Sequence, residues 1–133
     1  MSERWDVAAL RSGVSVTAVF AAPFLIAARI VADNDEDSSL PVLLILVSLL
    51  GFVVGAGVAA WLQKMRTPLT HGIVTAVGTY VVVQAVFVTV KLVRGSEVRW
   101  VAIFFNLTVT LLAGAMGGLL GATLQKRGLE PRR

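Results

Sequence analysis

Few side chains in this sequence could carry out chemistry, and the most distinctive is the only histidine, His71. The chain has no cysteine, which excludes disulfides and thiolate chemistry. A histidine can titrate near neutral pH, so His71 is a candidate pH sensor, although a solvated position at an interface is the simpler interpretation. No carboxylate or cysteine lies near it in the sequence, so it is a poor metal ligand. We therefore expect no enzyme, no catalytic residue, no metal site and no cofactor.

Amides and hydroxyls within apolar runs form a second group of candidates. Gln84 and Asn106 lie deep in such runs, and Thr17 and Thr79 are among the threonines that accompany them. Amides in hydrocarbon seek partners on other helices, whereas hydroxyls can bond back to their own helix. These four residues are therefore either structural contacts within a helical bundle or a polar transport site.

Two cations, Arg29 and Lys91, stand near the ends of apolar runs. Their long side chains can extend to a membrane interface while the aliphatic stems stay buried. Alternatively, the pair lies at an outer vestibule suited to anions or anionic lipid headgroups. No acidic residue lies within any of the apolar runs, which counts against a proton-coupled antiporter.

The elements that must position these residues are four apolar runs. The chain has 133 residues, of which 56% are hydrophobic and 15% are charged, against about a quarter charged in soluble domains. A spanning helix needs about 20 mostly apolar residues, and lipid offers the backbone no other hydrogen-bond partner. We predict a single all-α transmembrane domain, an integral membrane four-helix bundle. Its helices are expected at about residues 8–32, 41–63, 69–93 and 99–124.

The basic residues predict the orientation of these helices. Of the 12 lysines and arginines, eight would share the face that holds both termini and four the opposite face. The positive-inside rule then places both termini in the cytoplasm. A membrane surface explains the net charge of +4 better than nucleic acid does, so membrane lipids are the expected partners and nucleic acid is not.

An internal repeat is indicated by a shift of 62 positions. Between residues 47 and 64 this shift gives eight identities in 18 positions, including Leu62-Gln63-Lys64 with Leu124-Gln125-Lys126. The interpretation is two tandem helical hairpins, residues 1–66 and 67–133, related by a pseudo-twofold axis along the membrane normal. Convergence on a shared membrane composition is the alternative.

Small residues recur four positions apart in the second and fourth helices. Such spacing forms a groove that lets helix backbones approach closely. The pattern favours packing of these two helices within the chain, with a homo-oligomer interface as the alternative. The candidate packing residues are Gly51, Gly55, Ala59, Gly114, Gly117, Gly118 and Gly121.

The second helix and the start of the third resemble a known family. Residues 51–60 read Gly-Phe-Val-Val-Gly-Ala-Gly-Val-Ala-Ala, a basic turn follows, and residues 71–78 read His-Gly-Ile-Val-Thr-Ala-Val-Gly. This stretch resembles a family of small bacterial four-helix membrane proteins of unknown function, in which a glycine-rich second helix precedes a basic turn and a His-Gly start to the third. The resemblance implies the same fold and a place in the bacterial inner membrane, and it supplies no activity.

The function expected from these patterns is that of a small non-enzymatic membrane protein. It would act as an oligomeric or accessory scaffold subunit that packs through helices two and four, as a homo-oligomer or within a larger membrane complex. The alternative is a small transporter or channel with a polar site between the two hairpins. A holin-like pore former is the second alternative.

Overall fold

The computed structural model describes residues 5–129, and this part of the chain folds into four α-helices. All four are long and apolar enough to cross a membrane. The prediction of an all-helical chain with four candidate spans is therefore confirmed. The helices are α1 (Val7–Asn34), α2 (Leu40–Leu62), α3 (Pro68–Val93) and α4 (Trp100–Lys126).

Local sequence signals define the helix ends. The Asp6 carboxylate caps α1 by accepting a hydrogen bond from the Ala9 N–H at 3.1 Å. Prolines stand in the first turns of α2 and α3, where a missing N–H costs nothing. Gly95, with φ +70°, allows the turn that follows α3. The three connections are short, so successive helices run antiparallel.

The helices pack around a central pair. Both α1 and α4 contact α2 and α3, while α1 and α4 do not contact each other within the described residues. The bundle therefore has two ends. We call the end with the start of α1, the α2–α3 turn and the end of α4 the termini end. The end with residues 35–39 and 94–99 is the hairpin-loop end.

The glycine ridge of α2 lies against α1. A Cβ added at Gly13 of α1 would stand 2.6 Å from the Ala59 Cβ, and one added at Gly55 would overlap the Thr17 hydroxyl. A Cβ at Gly51 would stand 3.1 Å from the Ala21 Cβ. The small-residue ridge of α2 thus lies against Gly13, Thr17 and Ala21 of α1. The sequence had favoured α4 as the helix that contacts this ridge.

The glycines of α4 face two different helices. A Cβ at Gly121 would stand 2.5 Å from the Ala60 Cβ of α2, and one at Gly117 would overlap the Val53 carbonyl. On the neighbouring ridge, Cβ atoms at Gly114 and Gly118 would stand within 3 Å of α3, at the Ala76 side chain and the Leu69 backbone. The small residues of α4 therefore hold α2 and α3 close within one chain.

Candidate functional site

The hairpin-loop half of the bundle contains a cavity of about 150 Å³ that all four helices line. We call it the central cavity. Its wall is mostly apolar, and Phe52 and Tyr80 at its floor form an edge-to-face pair with ring centroids 6.5 Å apart. The apolar lining residues are Leu25, Ala28, Ala32, Pro41, Ile45, Leu49, Phe52 and Phe87. The polar lining residues are Arg29, Ser48, Tyr80, Gln84, Asn106 and Thr110.

A second cavity, of about 190 Å³, adjoins the first and is lined by three cations. We call it the basic cavity. Arg29, Lys91 and Arg99 line it, and no carboxylate does. The two cavities share Arg29, Gln84, Phe87 and Asn106 in their walls, so they adjoin along these four residues.

The three cations differ in how far the protein neutralises them. Arg29 Nε lies 3.6 Å from the Asp33 carboxylate, and both side chains are partly exposed, so this pair is weak. The Arg29 guanidinium also lies 6.0 Å from the centre of the Phe87 ring. Lys91 Nζ donates to the backbone carbonyl of Glu97 at 3.2 Å. Within residues 5–129 neither Lys91 nor Arg99 forms an ion pair, so positive charge dominates the basic cavity.

The polar side chains around the central cavity fall into two classes. The Tyr80 hydroxyl donates to the Ile103 carbonyl at 2.8 Å, and the Ser48 hydroxyl donates to the Ile45 carbonyl at 2.6 Å. In contrast, the side chains of Gln84, Asn106 and Thr110 form no hydrogen bond with another described residue. Thr110 is only 2% exposed. The side chains of Gln84 and Asn106 are half-buried at the cavity walls, so their donors and acceptors are open to a ligand.

The structure brings together only part of the polar site that the sequence predicted. Gln84 and Asn106 lie in one site with the predicted cation pair Arg29 and Lys91. Thr17 and Thr79 line neither cavity. Their hydroxyls donate to the carbonyls of Gly13 at 2.8 Å and of Thr75 at 2.7 Å, and both side chains are buried between helices.

Four polar or charged lining residues were not among the site residues predicted from the sequence: Ser48, Tyr80, Arg99 and Thr110. Arg99 was counted only as an orienting charge at the start of α4. Thr110 follows Asn106 by four positions, which places both on one face of α4. That spacing could have predicted Thr110 as a neighbour of Asn106 in the cavity wall. The position of Arg99 could not be predicted in this way, because it depends on the conformation of the α3–α4 turn.

His71 is fully buried at the termini end, so the expectation of a solvated histidine is wrong. The start of α1 covers it. The Asp6 N–H donates to Nε2 at 3.0 Å, Nδ1 lies 2.8 Å from the Thr67 carbonyl, and the Trp5 ring centre is 5.6 Å away. Because Nδ1 faces a carbonyl and Nε2 faces an N–H, this geometry fits the neutral ring with its proton on Nδ1.

Further hydrogen bonds close the termini end. One Asp6 carboxylate oxygen accepts from the Lys64 N–H at 3.2 Å, which ties the start of α1 to the α2–α3 turn. Gln63 donates to the Gln125 side chain at 3.2 Å, and Gln125 donates to the Trp61 carbonyl at 2.9 Å. The two glutamines are 62 positions apart, which is the shift of the predicted repeat. The repeat itself stays a prediction.

No model of a known protein family matches this chain, and no curated protein or solved structure shows significant similarity to it. Among the described residues, no group of three or more histidine, cysteine or acidic side chains is arranged to hold a metal ion. The site at the hairpin-loop end combines three cations, two amides and apolar walls.

Proposed function

We propose that this protein is a non-enzymatic integral membrane protein of the transporter type, which binds an anion in the half of the bundle that faces away from the cytoplasm. The observation that carries the proposal is the pair of adjoining cavities, central and basic, which share four wall residues. Three cations line the pair, of which Arg29 has a weak ion pair with Asp33. Two amides without a hydrogen bond to another described residue line it as well, and no described carboxylate does. Like charges around one cavity repel each other, so an anion between them lowers the electrostatic energy.

The charge distribution along the chain supports the orientation in this proposal. Among residues 5–129, five basic residues lie toward the termini end and four toward the hairpin-loop end, and the sequence adds Arg4, Arg132 and Arg133 next to the termini. The positive-inside rule assigns the end with the excess to the cytoplasm of a bacterial inner membrane. The hairpin-loop end would then face outside. Both cavities reach that end, because Ala32 and Pro41 line the central cavity and Val98 and Arg99 line the basic cavity.

The closed termini end supports a carrier rather than an open pore. Between the cavities and this end, glycine contacts bring the helices together without space for a methyl group at Gly13, Gly55 or Gly121. The hydrogen bonds of His71 and Gln125 lie beyond these contacts. We infer a site open to one side and, as far as residues 5–129 define it, closed on the other, as a carrier requires.

The oligomeric or accessory-subunit function that the sequence suggested remains a prediction. The candidate packing glycines of α2 and α4 are occupied by contacts within the chain, so they do not support a contact between copies. Native mass spectrometry of the protein released from a bilayer would measure its copy number directly, and a monomer would contradict the homo-oligomer.

Anion binding can be tested by calorimetry on the full chain in phosphatidylcholine nanodiscs at low salt. The probes are inorganic phosphate, acetate and benzoate. We expect at least one to bind, and the double variant Lys91→Ala with Arg99→Ala should weaken that binding tenfold or more, because a charge-assisted contact is worth about 1.5–3 kcal/mol. The matched control, Lys64→Ala with Arg66→Ala, removes the same charge at the termini end and should bind as the wild type does.

Two results would contradict the proposal. The first is that none of the three anions binds. The second is that the variants at the two ends weaken binding equally, because the anion would then respond to net charge and not to this site.

A further inference from the structure

We propose that the anion is an organic one with a compact apolar body about the size of a benzene ring: an aromatic or similarly compact carboxylate or phosphate ester. This inference rests on the proposed function and names the ligand class of the same site. It comes from the difference in polarity between the two adjoining cavities.

The polarity of the site changes along its length. Lys91 and Arg99 line only the basic cavity, whereas Leu25, Leu49 and Phe52 line only the central cavity. A small inorganic anion would fill the basic cavity alone and leave the apolar walls without contacts. A ligand with an anionic group at one end and an apolar body at the other satisfies both parts.

The size and walls of the central cavity define the body. Its volume of about 150 Å³ is that of an apolar protein cavity that takes up one benzene molecule. Phe52 and Tyr80 form an edge-to-face pair at its floor, and Phe87 lies where the two cavities meet. Aromatic rings pack favourably against such walls. Residues of all four helices line the cavity, so a compact solute within it can contact every helix of the bundle.

The shared residues orient this ligand. Arg29, Gln84 and Asn106 line both cavities, so they surround the junction between the anionic group and the ring. The two amides carry N–H donors for a carboxylate or phosphate oxygen, and within residues 5–129 neither amide forms a hydrogen bond with another side chain or with the backbone. Thr110 offers a further hydroxyl beside the ring.

The first test compares probes that differ in one property each, measured by calorimetry in phosphatidylcholine nanodiscs. Benzoate should bind tenfold or more tightly than acetate, since the ring buries apolar surface that acetate lacks. Benzyl alcohol keeps the ring without the charge and should bind at least tenfold more weakly than benzoate. Benzylamine carries the opposite charge and should not bind.

The second test changes the shape of the apolar part. Leu49→Ala enlarges the central cavity, so it should weaken benzoate binding and admit 1-naphthoate, which the wild type excludes. The matched control is Leu50→Ala on the same helix, where the leucine is 60% exposed and faces away from the site. Leu50→Ala should leave the order of the two probes unchanged.

The outcomes separate this inference from the proposed function. If acetate or phosphate binds as tightly as benzoate, the anion site stands and the organic ligand class is wrong. If no anion binds, the proposed function fails together with the inference. If benzoate binding disappears in nanodiscs that contain phosphatidylglycerol, a lipid headgroup competes for the site. The ligand is then a lipid, and the inference of a small organic solute is wrong.

Discussion

Gly55 lies in the contact between α1 and α2, and replacing it by alanine should destabilise the bundle. A Cβ at this position would overlap the Thr17 hydroxyl and stand 2.8 Å from the Gly13 carbonyl oxygen. The second of these atoms belongs to the backbone of α1, so no side-chain rotation relieves the overlap. The two helices must move apart, and they then lose close contacts along the whole ridge.

The magnitude follows from comparison with overpacked protein cores, where an added methyl group costs about 1–3 kcal/mol. Gly78 in α3 is the matched control, because nothing lies within 4 Å of a Cβ added there. Gly78→Ala should stabilise the helix by about 0.5–1 kcal/mol, since glycine loses more backbone entropy than alanine on folding. The same substitution should therefore have opposite signs at two glycines of one chain.

The assay is reversible unfolding in mixed micelles, followed by helical circular dichroism while the fraction of denaturing detergent is raised. The free energy of unfolding is compared for the wild type, Gly55→Ala and Gly78→Ala under identical conditions. A Gly55→Ala protein within about 0.5 kcal/mol of the wild type would refute the reasoning, because that value is the scatter of neutral surface substitutions. So would equal losses at both positions.

Three further predictions test other parts of the molecule. Gln84→Leu should weaken anion binding and leave the free energy of unfolding within about 0.5 kcal/mol of the wild type, since the half-buried amide forms no hydrogen bond with another described residue; a larger loss of stability in the same unfolding assay would contradict this. His71→Phe should destabilise the protein by about 1–3 kcal/mol in that assay, because a buried backbone N–H loses its acceptor, and an unchanged unfolding curve would count against the closure of the termini end. The chain has no cysteine, so single-cysteine variants report topology cleanly: a membrane-impermeant maleimide added to intact cells should label Ser38→Cys and not Met65→Cys, and the reverse pattern would invert the orientation.

The sequence predicted the number of spans because that information is local. The length of each apolar run and the prolines at its start determine where a helix begins and ends, and no distant residue is needed. The partner of the α2 ridge is different. Small residues four apart mark a groove without saying which helix fills it. The partner was Gly13, Thr17 and Ala21 in α1, which carry the same spacing, but the threonine among them was taken as a polar candidate.

The number of hydrogen bonds that each side chain needs explains which polar residues form the site. A threonine on a helix can donate to the carbonyl four residues earlier, as Thr17 and Thr79 do, so it can be buried between close-packed helices without a further partner. An amide has two donors and two acceptor positions and cannot satisfy them in this way. Gln84 and Asn106 therefore need space and a partner beyond their own helix, and both lie at the cavity.

Thr110 shows what residue type cannot predict, namely whether a buried hydroxyl is paired or faces a cavity. It is a buried threonine like Thr79, yet its hydroxyl forms no hydrogen bond within the described residues. What separates the two is position: Thr110 lies one turn beyond Asn106 and faces the cavity, whereas Thr79 is buried between helices and lines neither cavity. Thr75 is a third case, because its buried hydroxyl has no partner among the described residues and lines neither cavity. Residue type thus predicts that a threonine can be buried in a helix, and not whether its hydroxyl is paired. Which hydroxyl is offered to a ligand depends on the rotation of each helix about its axis, and that is set by the glycine contacts between distant parts of the chain.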